Sequence, residues 1–140
     1  MNVFSNLGVR PAITAESREF WNATASGKIS VEYCAQCELH IFPPRSVCRR
    51  CHDRSLGWVT IEPPGVIYSY TVNHHPWIPD LNDSYAIALV EFPEYSNVRF
   101  VGRLVGFDRE PSIGDQVDFS FESAFGDLYR PYFTPWWNRE

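Results

Sequence analysis

The feature that most constrains this chain is Cys34-Ala35-Gln36-Cys37, followed ten residues later by Cys48-Arg49-Arg50-Cys51. All four cysteines of the protein lie inside these eighteen residues. Paired C-x-x-C hooks bring four thiolates to one point, and tetrahedral Zn²⁺ with soft sulfur ligands fits that arrangement. The stretch therefore reads as a zinc ribbon with Cys34, Cys37, Cys48 and Cys51 as ligands. Two disulfides would need an oxidising compartment, and Met1 begins no charged-then-apolar leader segment. A redox pair of the thioredoxin kind would need one hook beside a βαβ pattern, which this chain lacks. His40 and His52 flank the hooks, but four thiolates already complete the coordination sphere. That leaves no open position for water or substrate, so the metal is expected to be structural.

Length and charge narrow the rest. The chain has 140 residues, 44% of them hydrophobic, enough for one domain or for two small units sharing a core. No apolar run approaches the roughly 20 residues that cross a bilayer, and with no targeting segment the expected location is the cytoplasm. Residues 1–60 carry seven basic against five acidic side chains, whereas residues 61–140 carry five against twelve. A Zn(Cys)₄ centre carries a net −2, which cancels the two-charge basic surplus of the first half. Neither half is basic, which opposes the electrostatic attraction that non-specific nucleic-acid binding requires.

In chain order, residues 1–27 read as an arm and a docking helix. Thr14 is the expected N-cap, Glu16 and Glu19 suit the helix dipole, and Gly27 supplies a stop, so a helix is predicted over 14–26. Its Phe20 and Trp21 either cover the chain's own core or face a partner. The ribbon is expected over 28–62. Within it Lys28–Tyr33 alternates as a half-buried strand, and His40–Arg45 starts extended before Pro43 and Pro44 interrupt it. Arg45, Arg49, Arg50 and Arg54 surround the second hook. They either offset the charge of the zinc centre or bind phosphate, for example on a nucleotide-like carrier.

After the turn Glu62-Pro63-Pro64-Gly65, five β-type runs are predicted over 63–133: Val66–Asn73, Tyr85–Phe92, Val98–Val105, Gln116–Glu122 and Leu128–Phe133. Tyr85–Phe92 is nearly all apolar and reads as a strand buried on both faces. Gly102 suggests a bulge or a bend, and Pro131 marks an edge. Five short antiparallel strands point to an OB-fold barrel, although Gly106–Gly114 leaves no room for the helix usual between its third and fourth strands. The fold class is thus mostly β: an N-terminal helix, a rubredoxin-like zinc ribbon and a five-stranded OB barrel. Residues 134–140 are left as an aromatic tail.

The order of these motifs resembles one family. An N-terminal helix with Phe20-Trp21, the two hooks, Phe42-Pro43-Pro44-Arg45, Gly65 with Tyr68-x-Tyr70-Thr71, and Ile113-Gly114-Asp115-x-Val117 is similar to the zinc-ribbon-plus-OB-fold proteins first catalogued as a domain of unknown function that accompanies thiolases. The resemblance covers residues 14–133. It departs from the usual pattern at Glu38, where glycine is common, and at Arg49, where proline is common. It implies an accessory subunit that binds a thiolase-superfamily enzyme acting on acyl-CoA thioesters, either an acetoacetyl-CoA thiolase or an aldolase that cleaves steroid side chains. The catalytic residues would then belong to the partner.

The residues themselves offer little chemistry beyond zinc. There is no G-x-S-x-G, no H-E-x-x-H and no glycine-rich phosphate loop, so no catalytic residue is assigned. His74-His75-Pro76-Trp77, at the end of the first barrel strand, is expected to face a partner or ligand. Tyr132, Phe133, Trp136 and Trp137, with Phe20, Trp21, His74, His75 and Trp77, form the expected partner interface. Two other readings remain. The chain is either a scaffold bridging two acyl-CoA enzymes, or an OB module that binds single strands through Tyr68, Tyr70, Phe100, Phe119 and Phe121.

Overall fold

The computed structural model describes residues 9–77 and 83–139. Helix α1 (Arg18–Ala25) is followed by β1 (Ile29–Cys34), β2 (Leu39–Ile41) and β3 (Gly57–Ile61), which form a sheet in the order β2-β1-β3. Strands β4 (Gly65–Asn73), β5 (Tyr85–Phe92), β6 (Val98–Leu104), β7 (Gln116–Ala124) and β8 (Leu128–Pro135) close a barrel in the order β4-β5-β6-β8-β7. The β6–β8 pairing is parallel and every other pairing in the barrel is antiparallel. That order is the OB topology.

The helix begins later than expected, at Arg18 with Ser17 as its N-cap, and Thr14 starts the turn before it. Thr14 Oγ1 accepts the Ser17 N–H at 3.2 Å while Ser17 Oγ accepts the Thr14 N–H at 3.0 Å, a reciprocal cap one turn ahead of α1. At the other end Lys28 N donates to Ala23 O and Gly27 N to Thr24 O, with Gly27 at φ +75°, which is a Schellman stop.

No helix separates β6 from β7, and α1 takes up the corresponding task from the N-terminal side. Phe20 of α1, Phe42 after β2 and Phe100 of β6 meet with ring centroids 5.4 Å, 4.0 Å and 6.3 Å apart. One core therefore runs through both sheets, from Phe20, Ile29, Val31 and Ile61 into Ile67, Val90, Phe92, Val117 and Phe133. A second, smaller cluster of Leu39, Ile41, Cys34 and Cys48, with Leu56 against it, surrounds the hooks.

Three expectations are corrected. Strand β5 is buried on one face only: Ala88, Val90 and Phe92 enter the core while Ile87 and Leu89 are half-exposed, because a closed barrel has a single interior. Gly102 carries no bulge, since β5 and β6 pair in register from Ala86–Leu104 to Phe92–Val98. The shift lies in β4 between Ile67 and Ser69. Gly102 instead leaves room for the Phe133 ring. Finally, β8 runs two residues past Phe133, with Thr134 and Pro135 paired to Asp118 and Val117. Pro131 sits inside that strand on a side that forms no regular ladder, since the β6–β8 register holds only Leu104–Phe133.

Candidate metal centre and partner-facing surface

The two hooks are built alike. Cys34 ends β1, and the turn that follows passes through Glu38 at φ +51° into β2; in the second hook His52, also one residue past its last cysteine, stands at φ +62°. The left-handed backbone explains why glycine suits position 38, and Glu38 adopts that conformation without one. Cys48 O accepts the His52 N–H at 2.9 Å, and Cys48 N donates to Asp53 O at 2.9 Å, which closes the second hook.

These turns bring the four sulfurs within 4.8 Å of one another, with Cys34 Sγ and Cys51 Sγ 3.6 Å apart. Four sulfurs around one zinc at about 2.3 Å stand about 3.8 Å apart, so the donor set fits a tetrahedral ion. Its electrostatics call for a cation. Cys48 is lowered to about 6 by backbone N–H groups of Cys51 and Arg50, whereas Cys37 is raised to about 12, first by its hydrogen bond with Cys51 and then by burial. Four crowded thiols cannot all ionise unaided, and a dication removes that conflict. Zinc is structural here: the four cysteines would hold it and leave no ligand position free.

The histidines beside the hooks are not among the clustered donors. His40 turns towards the barrel, where its Nδ1 lies 3.1 Å from Ser96 Oγ and its ring lies between Tyr33 and Tyr95, at 4.8 Å and 5.3 Å. Burial holds its pKa below the ordinary value. Its backbone N–H also donates to Ser96 Oγ at 3.0 Å, and Tyr95 Oη accepts the Glu62 N–H at 3.1 Å. The β5–β6 turn thus ties ribbon to barrel. Glu32, only 5% exposed, accepts the N–H groups of Arg45 and Ser46 and holds the segment after the two prolines against β1. No sequence signal marks these ties, because each joins residues distant in the chain.

The expected partner-facing residues divide into two groups. Phe20 and Phe133 are in the chain's own core, at 7% and 1% exposure, and Trp21 packs against that core from the side. The second group lies near the surface. His74 and His75 are exposed, and Trp77 is 69% exposed yet fastened: its Nε1–H donates to Asn73 Oδ1, while Asn73 Nδ2 donates to His75 O. Trp137, 44% exposed, meets Phe107 edge-on at 5.6 Å and lies under the Arg109 guanidinium at 4.6 Å. Trp136 and Tyr132 are half-buried, under Arg139 and beside Arg103 respectively. Between the residues after β4 and the loop after β6 lies an open cleft of about 490 Å³, with His74, Tyr85, Leu104, Phe107 and Arg109 in its walls.

The single-strand reading loses its platform. Phe100 is buried, and Tyr70, Phe119 and Phe121 pack against the core, which leaves Tyr68 exposed beneath the Arg99 guanidinium. Arg45, Arg49, Arg50 and Arg54 are all exposed.

Two family models together match residues 21–122 and meet at the start of β3, the last strand of the ribbon sheet. Residues 21–57 match the rubredoxin-like zinc ribbon domain of ChsH2, and residues 58–122 match the C-terminal OB-fold domain of ChsH2. The chain belongs to the ChsH2 zinc-ribbon and OB-fold family. A solved structure described as "Ltp2-ChsH2(DUF35) aldolase" superposes with a TM-score of 0.80 at 32% identity, covering 90% of this chain and 98% of that one. A DUF35-family protein of unknown function from Sulfolobus solfataricus shares the fold, with a TM-score of 0.64 at 21% identity over 86% of this chain and 85% of that one.

Among curated relatives, a probable enoyl-CoA hydratase alpha subunit of Thermomonospora curvata is 34% identical over 132 residues. The 3-oxo-4,17-pregnadiene-20-carboxyl-CoA hydratase alpha subunit of Mycobacterium tuberculosis is 27% identical over 100 residues. These matches cover 92% and 71% of this chain but only 40% and 31% of the relatives' lengths. In those proteins the ChsH2-type module is one part of a longer chain.

Proposed function

We propose that this chain is a non-catalytic accessory subunit of a thiolase-superfamily enzyme that acts on acyl-CoA thioesters, and that the reaction is the retro-aldol cleavage of a steroid or other lipid side chain. The observation that carries this reading is the likeness, along 98% of its length, to the ChsH2 component of an aldolase. The residues agree with it. The cysteines are committed to a closed metal site, which leaves no thiol for nucleophilic work, and the exposed groups are fastened aromatics of the kind that anchor protein contacts. Trp77, His74, His75, Trp136 and Trp137 form the docking surface, and the partner supplies the acid, base and nucleophile.

The hydratase names of the longer relatives favour a second, compatible reading in which the module also bridges two enzymes. Hydration of an enoyl thioester places a hydroxyl on the β carbon. A retro-aldol step needs that hydroxyl, because its proton leaves as the bond between the α and β carbons breaks. A scaffold holding both enzymes would pass one product straight to the next site. Co-expression with a candidate thiolase-fold partner, followed by affinity capture, tests the accessory role. A stable complex whose carbon–carbon lyase activity needs both chains supports it, and a partner fully active alone refutes it.

A further inference from the structure

Nine of the eleven arginines fall into two populations. All five that follow residue 61 pair with a carboxylate: Arg99–Glu91 at 2.7 Å, Arg103–Glu122 at 2.6 Å, Arg109–Asp115 at 2.9 Å, Arg130–Glu122 at 3.2 Å and Arg139–Asp118 at 3.1 Å. Among the described residues, none of the four arginines around the second hook forms an ion pair, although acidic residues lie close in sequence. Two of those carboxylates are turned to other work. Glu32 accepts the main-chain N–H groups of Arg45 and Ser46, and Asp53 Oδ1 accepts the Ser55 N–H at 2.9 Å. The zinc centre also draws on main chain, since Arg50 N donates to Cys48 Sγ at 3.4 Å. Four guanidinium groups are thus held out to solvent on backbone fixed by metal ligands and by a buried carboxylate.

We propose that Arg45, Arg49, Arg50 and Arg54 bind the phosphate groups of the nucleotide end of the acyl thioester carrier; this rests on the reading that the complex handles acyl-CoA. The guanidinium fork matches phosphate oxygens two at a time, and it is more weakly hydrated than an ammonium. A single carboxylate needs one such fork. Four of them within ten residues suit a ligand that carries a diphosphate and a ribose phosphate together. The anchoring is already in place, because Arg49 and Arg50 are successive residues of a hook closed by Cys48 N to Asp53 O and His52 N to Cys48 O, and Arg45 is fixed through Glu32. Rigid backbone lowers the ordering cost of binding. The pairing pattern also distinguishes this edge from the acidic barrel, which neutralises its own cations internally.

Calorimetric titration of CoA, of its form lacking the ribose phosphate and of inorganic phosphate tests the assignment. The zinc-loaded full chain and the co-purified complex are both titrated, against R49Q/R50Q, R45Q/R54Q and R49K/R50K, with zinc content measured in each. Binding of CoA is expected to weaken by about tenfold or more in each Gln pair, with zinc retained, and to weaken less in the Lys pair, which keeps charge but loses the fork. It should also weaken steeply between low and physiological salt. Unchanged CoA affinity in the Gln pairs, in both chain and complex, overturns the proposal. Equal affinity for inorganic phosphate overturns it too, by showing a generic anion site. Loss of partner capture in the Gln pairs with CoA affinity unchanged assigns the edge to an acidic protein surface instead. Failure of the accessory-subunit reading is separate: it appears as no capture of the partner by the unmodified chain, whatever CoA does.

Discussion

Gly102 and Phe133 show what one residue contributes to this barrel. A Cβ at position 102 would lie 2.7 Å from Phe133 Cε2 and 3.0 Å from Cδ2, in the middle of the core. Gly102→Ala is therefore expected to cost about 1–3 kcal/mol through overpacking, read as a lower urea midpoint with unchanged slope. Glu32 is the corresponding residue in the ribbon. Glu32→Ala leaves two backbone N–H groups without their acceptor and is expected to cost about 1–3 kcal/mol, with weaker zinc retention in a competition assay against a chelating dye. Asp115 gives a pH signature. The Arg109 guanidinium holds its carboxyl below the usual value, aided by the Ser112 N–H at 2.9 Å. A lowered folded pKa means that the unfolded chain binds the proton more readily. The stabilisation is fully present above the unfolded value of 3.8 and is lost as pH falls through the lower folded value. The Tm difference between the native chain and Asp115→Asn should be constant above about pH 5 and shrink on further acidification.

At the scale of elements, the end of β8 and the zinc hooks separate what holds the fold from what faces outward. Thr134 and Pro135 pair with β7, and Pro135 is fully buried, whereas Trp137 lies across the loop after β6. Removing residues 136–140 should leave zinc content and the unfolding midpoint nearly unchanged while weakening capture of the partner. Removing 134–140 should in addition destabilise the barrel by about 1–3 kcal/mol, because a buried side chain and two strand pairings go with it. The ribbon is the opposite case. Its small cluster of Leu39, Ile41 and two buried cysteines is too slight to fold alone, and structural zinc contributes about 10–16 kcal/mol to small ribbons of this kind. Chelation should unfold β1–β3, and circular dichroism together with tryptophan fluorescence would follow the loss.

For the whole molecule, one core shared by ribbon, helix and barrel means that damage to the metal site reaches the barrel. Ile29, Val31 and Ile61 lie in the same cluster as Val90 and Phe133, and Phe20 and Phe42 cover Phe100. A single unfolding transition is expected with zinc, and a transition at lower temperature after chelation. Two separate transitions in calorimetry would contradict a common core. Much of this was legible in the sequence because it depends on local rules. Hook spacing gave the ligands, period-two alternation gave β4, β6 and β7, an apolar run gave β5, and Gly27 gave the end of the helix, whose start lies at Arg18 and not just after Thr14. Strand β3 went unmarked since Gly57–Ile61 is short and carries no turn signal of its own, and it forms by pairing with β1. Chemistry-bearing residue types and their periodicity are written in order along the chain, so the sequence determined the metal site and the fold class. Which aromatics are spent in the core and which are offered outward depends on barrel closure and on contacts between distant segments. Only the tertiary structure could decide that Phe20 and Phe133 are inside, that Trp77 and Trp137 are outside, and that, among the described residues, the ribbon arginines form no ion pair while those of the barrel do.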